Sequence, residues 1–489
     1  MKTRTAGYLT IFTSLTLTLI LSLCLVLVEG TRQNTIRLET ECIVDVGLNS
    51  VLAEYHREVL ERYNLFFIDS SYGTDYPSHY NTEANLRKYL EKNVSLGEEP
   101  GILGGNKVFP GIYMDLLELY FSRIQVTGVS LATDHNGYWF QRQAAQAAES
   151  DIGIGVLDKV LDWIRVVEEN GLMTNKVEEE IAEIEQRLSE IQGKKQLENK
   201  SWIKIPAENP VKALTEERKK GLLNWVAASV LEVSDKYIQP RQYISSRRGE
   251  GAVNQGNIPM TGQKLTLYER LLFQEYLFRY AGDYLDVREN SALDYQVEYL
   301  LFGGAYDTDN LRKTAAAICG LRETANLISL LKSTEKREAI NAVASVLSAA
   351  VLAPEAAPVF EGIIVIAWSC LESLLDTKAI LKGGSVPLLK DDTTWKSDLQ
   401  NVLNFRKDIS EEEAEGGLNY EDYLRIFLYF VNLETITYRF MDIMEMDIRL
   451  TEGNEHFRMD GCIDYLEIAV TARSVYGYTY ELKHAKGYR

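Results

Sequence analysis

The residues best suited to chemistry are five scattered histidines and two aspartates that follow predicted strands. The histidines are His56, His79, His135, His456 and His484. None of them makes an HExxH or another metal-binding spacing, which disfavours a zinc hydrolase. The sequence also has no GxSxG nucleophile motif and no GxxxxGK[ST] phosphate loop. We therefore expect no catalytic residue, no bound metal and no cofactor.

The two aspartates, Asp69 and Asp134, come directly after predicted strands and could meet at one sheet edge to bind a cation. Each is also followed by turn-forming residues, and turn-forming aspartates are the interpretation that we favour. The stretch Asp151–Gly155 contains two glycines but no third one, so it is a poor dinucleotide-binding fingerprint.

Charge and cysteine content narrow the class of protein. The net charge is −19, and the first 28 residues contribute only Lys2 and Arg4, so residues 29–489 carry −21. We do not expect nucleic acid as a partner, because phosphate binding requires a basic surface and this chain is strongly acidic. The five cysteines form no CxxC pair, so their spacing supports neither a zinc site nor a disulfide framework.

The segment that must position everything else is Tyr8–Val28, which holds 21 residues and no charge. As an α-helix it would be about 31 Å long, enough to cross a bilayer core. Basic residues precede the segment and mixed charges follow it, which predicts a cytoplasmic N-terminus and an extracytoplasmic body. A cleaved signal peptide ending near Val28–Gly30 is the alternative, but its apolar region is usually only about 7–15 residues long.

After the anchor, apolar residues at helical spacing predict that the helix continues to about Tyr63. The pattern changes to period two in two short stretches, which predicts strands at Leu65–Ile68 and Arg123–Ala132. Helical patterns fill most of the following sequence. The predicted helices in this part are Glu83–Asn93, Ile112–Ser122, a segment from Tyr138 and Leu157–Val167.

A heptad pattern marks a possible arm at residues 174–198. Its apolar residues are spaced four and three apart, and glutamates flank them: Val177, Ile181, Ile184, Leu188 and Ile191. Barely two heptads are too few for an independent coiled coil. The arm either folds onto a neighbouring helix of the same chain, which we favour, or binds a partner.

The middle of the chain is predicted to be a helical lobe. Asn199–Pro210 resembles a linker. Arg241–Gly262 is predicted to be a solvated loop, although Arg247 and Arg248 could instead receive an acidic or phosphate group there. Apolar and polar residues alternate at Tyr295–Leu301, which predicts a strand. The charged run Glu411–Glu413 predicts a solvated break. The predicted helices are Ala213–Ile238, Leu265–Ala281, Asp307–Lys332, a buried hairpin of Ala342–Ala353 and Ile363–Leu375, and a long helix capped by Asn419.

The last part is predicted to return to strands, at His456–Thr471 and Val475–Leu482, with a turn near Ala472–Ser474. The sequence thus predicts a predominantly helical α+β fold, with a small antiparallel sheet built from both chain ends and a large inserted helical lobe. The predicted divisions are 1–28 (cytoplasmic tip and anchor), 29–136 (long helix and first strands), 137–450 (helical lobe) and 451–489 (strand pair).

Two stretches carry a family resemblance. The run GYLTIFTSLTLTLILSLCLVLVEGTR and the later YNLFFIDSSYG resemble TadE/TadG-like minor pseudopilins of the tight-adherence (Flp) type IV pilus system. The whole chain resembles an uncharacterised family of large exported Gram-positive proteins. That second likeness rests on Ala132–Ala144, Leu293–Gly304, DTTWKSDLQNVL and GLNYEDYLRIFL.

The resemblance implies a non-enzymatic pilus or secretion-system component whose partners are membrane lipid and other proteins of that machinery. Pilins that are cut by prepilin peptidase carry Glu five residues after the cleaved Gly, whereas counting from Gly7 this sequence has Phe12. The resemblance is therefore to the TadG-like branch, whose members keep their anchor. The alternative function is an exported enzyme or ligand-binding receptor with an acidic pocket.

Overall fold

The structure is a computed structural model. It describes residues 2–94, 119–150, 153–174, 176–197, 233–247, 264–350, 353–404 and 417–488. The chain divides into two compact units. Unit 1 comprises Met1–Gln143, Arg247–Leu265 and Thr451–Arg489; unit 2 comprises Ala144–Ser246 and Thr266–Leu450. The fold is α+β and predominantly helical, as predicted.

Unit 1 begins with one continuous helix, α1 (Lys2–Leu52), of 51 residues. The predicted helix to Tyr63 is interrupted, because His56 has an extended backbone (φ −68°, ψ 116°) and its side chain caps the next helix, α2 (Arg57–Tyr63). Unit 1 also contains α3 (His79–Val94) and the start of α4 (Asp134–Glu149). A short 3₁₀ turn, Met459–Gly461, precedes the C-terminal strands.

The sheet of unit 1 joins both ends of the chain, as predicted. Its strands are β1 (Ile68–Asp69), β2 (Leu119–Leu131), β3 (Cys462–Ser474) and β4 (Thr479–Gly487). All three other strands pair antiparallel with β3, which is therefore central. Buried apolar residues of α1, α3 and the sheet form a single core cluster.

Several boundaries in this region were predicted wrongly, including the start of β3, which is Cys462 and not His456. Residues 119–122 belong to β2 and not to the predicted helix Ile112–Ser122, whose first seven residues lie outside the described part. The first strand is shorter than predicted and starts at Ile68. The turn between the last strands is at residues 475–478, because Gly477 takes the left-handed conformation (φ +86°) and its N–H bonds to the Ser474 carbonyl.

The regular elements of unit 2 in its described part are helices, together with two isolated β-bridges, Tyr237–Tyr306 and Val386–Leu418. Its helices are α5 (Ile154–Asn170), α6 (Lys176–Leu197), α7 (Leu267–Tyr280), α8 (Gln296–Phe302), α9 (Asp307–Lys332), α10 (Thr334–Ala350), α11 (Ala357–Leu381), α12 (Leu399–Asn404), α13 (Tyr420–Phe430) and α14 (Leu433–Arg449), with 3₁₀ turns at Pro240–Gln242 and Pro354–Ala356. Asn419 caps α13 with a full capping box, as predicted, although the predicted long helix is divided into α13 and α14.

Of the predicted buried hairpin, only the second helix, Ile363–Leu375 within α11, lies in the core of unit 2; the first, within α10, is mostly exposed, with Val346 68% exposed. Pro354–Leu381 is long and apolar enough to cross a membrane, but 83% of its apolar window is buried inside the protein. The predicted strand Tyr295–Leu301 is wrong, because this segment is helix α8. Residues 233–238 are not helical, and residues 199–210, 213–232, 248–262 and 411–413 lie outside the described part.

Candidate functional site

The first half of α1 exposes an unbroken apolar surface. Gly7–Leu52 contains a segment that is long and apolar enough to cross a membrane, with a mean hydropathy of 2.5, and none of that segment is buried. The predicted anchor bounds Tyr8 and Val28 both lie in this exposed part. Threonine hydroxyls inside it donate back to helix carbonyls, as Thr16 does to Phe12 (3.0 Å), so they leave no polar group unpaired there. The N-terminal helix therefore fits a membrane anchor or a signal sequence.

The second half of α1 lies along the β3–β4 hairpin. Four contacts follow in order along the helix, starting next to its exposed apolar half. The Arg32 guanidinium lies 4.0 Å from the Tyr476 ring centroid, the Tyr480 hydroxyl donates to Glu41 (2.8 Å), Lys486 pairs with Asp45 (2.9 Å), and the Tyr488 hydroxyl donates to the Leu52 carbonyl. Because both series of residue numbers rise together, α1 and β4 run in the same direction. One helix thus serves as the apolar segment and as the support of the sheet.

A polar cavity of about 240 Å³ lies within unit 1, where the end of α1 meets β1 and the approach to β3. Its lining comes from two distant parts of the sequence: Glu54, His56, Asp69, Ser71, Tyr72, Gly73, Gly453, Asn454, His456 and Phe457. The lining contains two carboxylates and no lysine or arginine. A small polar or cationic molecule is the chemical class that such a cavity can accept.

His56 has a defined tautomer in this cavity. Its Nδ1 accepts a hydrogen bond from the Val59 amide (3.4 Å), so the proton lies on Nε2, which donates to Asn454 Oδ1 (3.0 Å). The Phe457 ring lies 4.6 Å from the imidazole, centroid to centroid. Burial lowers the pKa of His56, while the nearby Asp69 opposes that shift. The imidazole is therefore held neutral and hydrogen-bonded at both nitrogens.

Glu54 and Tyr72 form a second polar group at the cavity. The Glu54 carboxylate accepts hydrogen bonds from the hydroxyls of Tyr72 (3.0 Å) and Tyr89 (2.7 Å). Tyr72 has a left-handed backbone (φ 49°), which is strained for an aromatic residue. Burial and the neighbouring Glu54 raise the pKa of Tyr72, so its phenol remains a hydrogen-bond donor. The neutral hydroxyls of Tyr72 and Tyr89 thus hold the Glu54 carboxylate in place at the cavity wall.

The two aspartates that follow strands form turns and do not meet. Asp69 accepts from the amide of Ser71 (2.9 Å) and from its hydroxyl (2.7 Å), while Asp134 accepts from the Leu131 amide (2.9 Å). In the described part of the chain no group of three His, Cys, Asp or Glu side chains could hold a metal ion. The Ser71 hydroxyl is directed to Asp69, which leaves it without the His56 base that a serine nucleophile needs.

Arg247 and the heptad arm have partners within their own units. Arg247 binds Asp460 (3.2 Å), so the acidic group predicted for the loop comes from the same chain, and Arg248 lies outside the described part.

In unit 2, Val177 is buried and Ile184 lies against Gly362 of α11, where a Cβ would be 2.7 Å from Ile184 Cδ1. Ile181 is half-buried, and the side chains of Leu188 and Ile191 lie outside the described part.

Sequence reasoning missed a fully buried ion network in unit 2. Arg322 binds Asp376 through Nε (3.1 Å) and also donates to the carbonyls of Pro387 and Leu388 (both 2.8 Å). Lys390 bridges Asp376 (2.7 Å) and Glu372. All four ionic side chains have no exposed surface. The network joins α9, α11 and the segment after α11.

The geometry defines a mostly helical α+β protein with an apolar N-terminal helix and a small polar cavity. Residues 200–474 match DUF5702, a family of unknown function, and the chain belongs to that family. The matched region contains β3 but neither α1 nor β4. No curated protein and no solved structure matches the chain.

Proposed function

We propose that this protein is a membrane-anchored, extracytoplasmic and non-enzymatic component of a Tad/Flp-type pilus or a related type IV pilus-like assembly system. The observation that carries the proposal is helix α1, whose first half is apolar and exposed and whose second half is the support of a sheet. This is the arrangement that the TadE/TadG resemblance implies, with an apolar helix in the membrane and a globular head outside.

Charge supports the same proposal. The extracytoplasmic part would carry −21, which keeps an exported domain soluble and disfavours nucleic acid. The basic residues Lys2 and Arg4 would hold the N-terminus in the cytoplasm. Partners would then contact the protein in two places, through the apolar helix inside the bilayer and through the head outside it.

Photo-crosslinking in the native host tests this proposal. A photoreactive amino acid is placed at Leu17, an exposed residue in the middle of the apolar segment, and at Tyr76, an exposed residue of the head, as the matched control. We expect Leu17 adducts to contain the apolar N-terminal helices of pilins or the membrane subunits of a secretion machinery. Adducts with lipid alone, or with proteins unrelated to such machinery, would overturn the proposal.

The polar cavity favours a second candidate, a ligand-binding receptor for a small cation. Its two carboxylates and neutral His56 are the supporting observation. Thermal melting of the full-length protein with a panel of organic amines and divalent cations tests it. A shift that disappears in Glu54→Gln but persists in the exposed control Glu452→Gln would support a receptor, and no shift with any compound would exclude this class of ligand.

A further inference from the structure

The contacts of α1 fix how far the β3–β4 hairpin is from the membrane. The apolar segment ends at Val28, and Arg32 follows four residues later, about 6 Å further along the helix axis. A bilayer core is about 30 Å thick and about 40–45 Å with both headgroup layers, so each headgroup layer measures about 5–8 Å. If Tyr8–Val28 fills the core, Arg32 therefore lies within the outer headgroup layer.

The tip of the hairpin lies at the same level as Arg32. The Tyr476 ring is 4.0 Å from the Arg32 guanidinium, and the tip is held in a tight turn by the bond from Gly477 N–H to the Ser474 carbonyl. Later residues of β4 contact α1 progressively further from Val28, ending with Tyr488 at Leu52. The tip is therefore the part of β3–β4 nearest to the bilayer.

The chemistry of the tip suits a headgroup layer. Val475 is 59% exposed and Tyr476 is 46% exposed, although both are apolar or aromatic and lie at the end of a folded sheet. Tyr120, opposite Arg473 in the register of β2 and β3, is also exposed at this end. The segment Arg473–Thr479 contains one cation and no acid, in a protein of net charge −19. Tyrosines and arginines are the residues enriched at membrane–water interfaces.

We propose that the tip of the β3–β4 hairpin, residues 473–478, together with Tyr120, rests in the lipid headgroup layer of the same membrane that α1 crosses. This inference rests on the proposed membrane anchoring but adds a second lipid contact, which the family match and the anchor do not supply. The tip fixes the rotation of α1 about its own axis and the tilt of unit 1 relative to the bilayer, because two separated contacts define an orientation that one helix leaves free.

Depth-dependent fluorescence quenching of the full-length protein in nanodiscs tests the inference. Cys24 and Cys42, the exposed cysteines, are replaced by serine, and an environment-sensitive dye is attached at Val475→Cys, at Tyr120→Cys, or at the matched control Tyr76→Cys. Tyr76 is 80% exposed and lies in the loop that packs on Gly461, at the opposite end of the sheet. A fourth protein keeps Cys24 as the probe of the anchor and carries only Cys42→Ser.

We expect nitroxides on the lipid headgroup to quench the dyes at residues 475 and 120 at least about twofold more than the dye at residue 76, because quenching requires contact with that layer. Nitroxides on the acyl chain should quench the dye at Cys24. Equal quenching at residues 475, 120 and 76, with Cys24 quenched, would overturn the tip contact and leave the anchor intact. An unquenched Cys24 would overturn both the anchoring and the inference that rests on it.

Discussion

The two units differ in how they bury charge. Unit 1 packs an apolar core between α1, α3 and its sheet and has ion pairs at the rim, as between Asp45 and Lys486, although Asp460, which pairs with Arg247, is buried. Unit 2 places four ionic side chains at zero exposure, centred on Arg322 and Asp376. Unit 1 therefore depends mainly on apolar area removed from water, whereas unit 2 combines an apolar core of its own with a buried polar network that must be complete.

The same contrast extends to the carboxyl groups. In unit 1, hydrogen bonds from Tyr480 and Arg37 lower the pKa of Glu41, and Lys486 lowers that of Asp45. In unit 2, burial raises the pKa of Glu298 to about 8 and that of Asp442 to about 6. The two units should therefore respond differently to pH, and hydrogen exchange measured peptide by peptide can read each unit separately.

The largest effect is expected from breaking the buried network. Arg322→Ala would leave the carbonyls of Pro387 and Leu388 unpaired and Asp376 short of its main cation, at a cost of about 3–5 kcal/mol in the unfolding free energy of unit 2. Arg312→Ala on the same helix removes an exposed pair with Asp309 and should cost less than about 0.5 kcal/mol. Similar losses in the two variants would show that the network contributes nothing beyond a surface pair.

The apolar core of unit 1 predicts the next effect. Leu48 is fully buried between α1 and the sheet, so Leu48→Ala should lower the unfolding free energy of unit 1 by about 2–5 kcal/mol through lost burial and a cavity. Leu38→Ala, at an exposed site of the same helix, should change it by less than about 0.5 kcal/mol. Protection of β3 amides from exchange measures both, and a Leu48 variant with unchanged protection would contradict the helix-supported core.

A pH series should distinguish the units further. In the unfolded chain Glu298 loses its proton above its ordinary pKa of 4.5, whereas in folded unit 2 it keeps the proton to higher pH. The stability that this group contributes is therefore complete below pH 4.5. It is lost as pH rises to about 8, at about 1.4 kcal/mol per pH unit. Glu298→Gln removes this slope, while the exposed control Glu338→Gln retains it. Parallel pH profiles for the two variants would refute a buried, protonated Glu298.

The smallest effect is expected at the rim of unit 1. Tyr480→Phe removes the hydroxyl that donates to Glu41 but keeps the ring beside Arg37, so the unfolding free energy should fall by less than about 1 kcal/mol. Chemical denaturation of the variant and the parent protein measures it. A loss as large as that of Leu48→Ala would mean that the polar contacts of α1, and not its apolar face, hold the sheet.

The sequence predicted correctly those elements in which buried and exposed residues alternate with the period of a helix or a strand. The α1 helix, β2 and the end-to-end sheet were predictable because apolar residues lie on one side and polar residues on the other. The strand prediction at Tyr295–Leu301 failed because the intervening Gln296 and Glu298 are buried too. They bond to Asp447 and Tyr420, which lie more than a hundred residues away, so the alternation carried no information about exposure.

The candidate sites were largely unpredictable for the same reason. The cavity of unit 1 brings residues 54–73 beside residues 453–457, and the His56–Asn454 bond spans 398 positions. Arg322 and Lys390 resemble surface residues in the sequence, because only their distant partners make burial favourable. The sequence does show Tyr476 as an aromatic residue beside the glycine of a turn. The proposed position of Tyr476 at the headgroup layer, however, could be inferred only from its contact with Arg32 in the structure.

The central position of β3 has a consequence for biosynthesis. Strand β3 begins about 330 residues after β2 ends, which corresponds to roughly 20–60 s of translation. During that time the edge of β2 that pairs with β3 in the folded protein has no strand neighbour. Glu83 and Arg87 of α3 already bind backbone groups of β2, and the second unit is synthesised before β3 emerges. The unit that contains the N-terminal helix is thus the last to be completed.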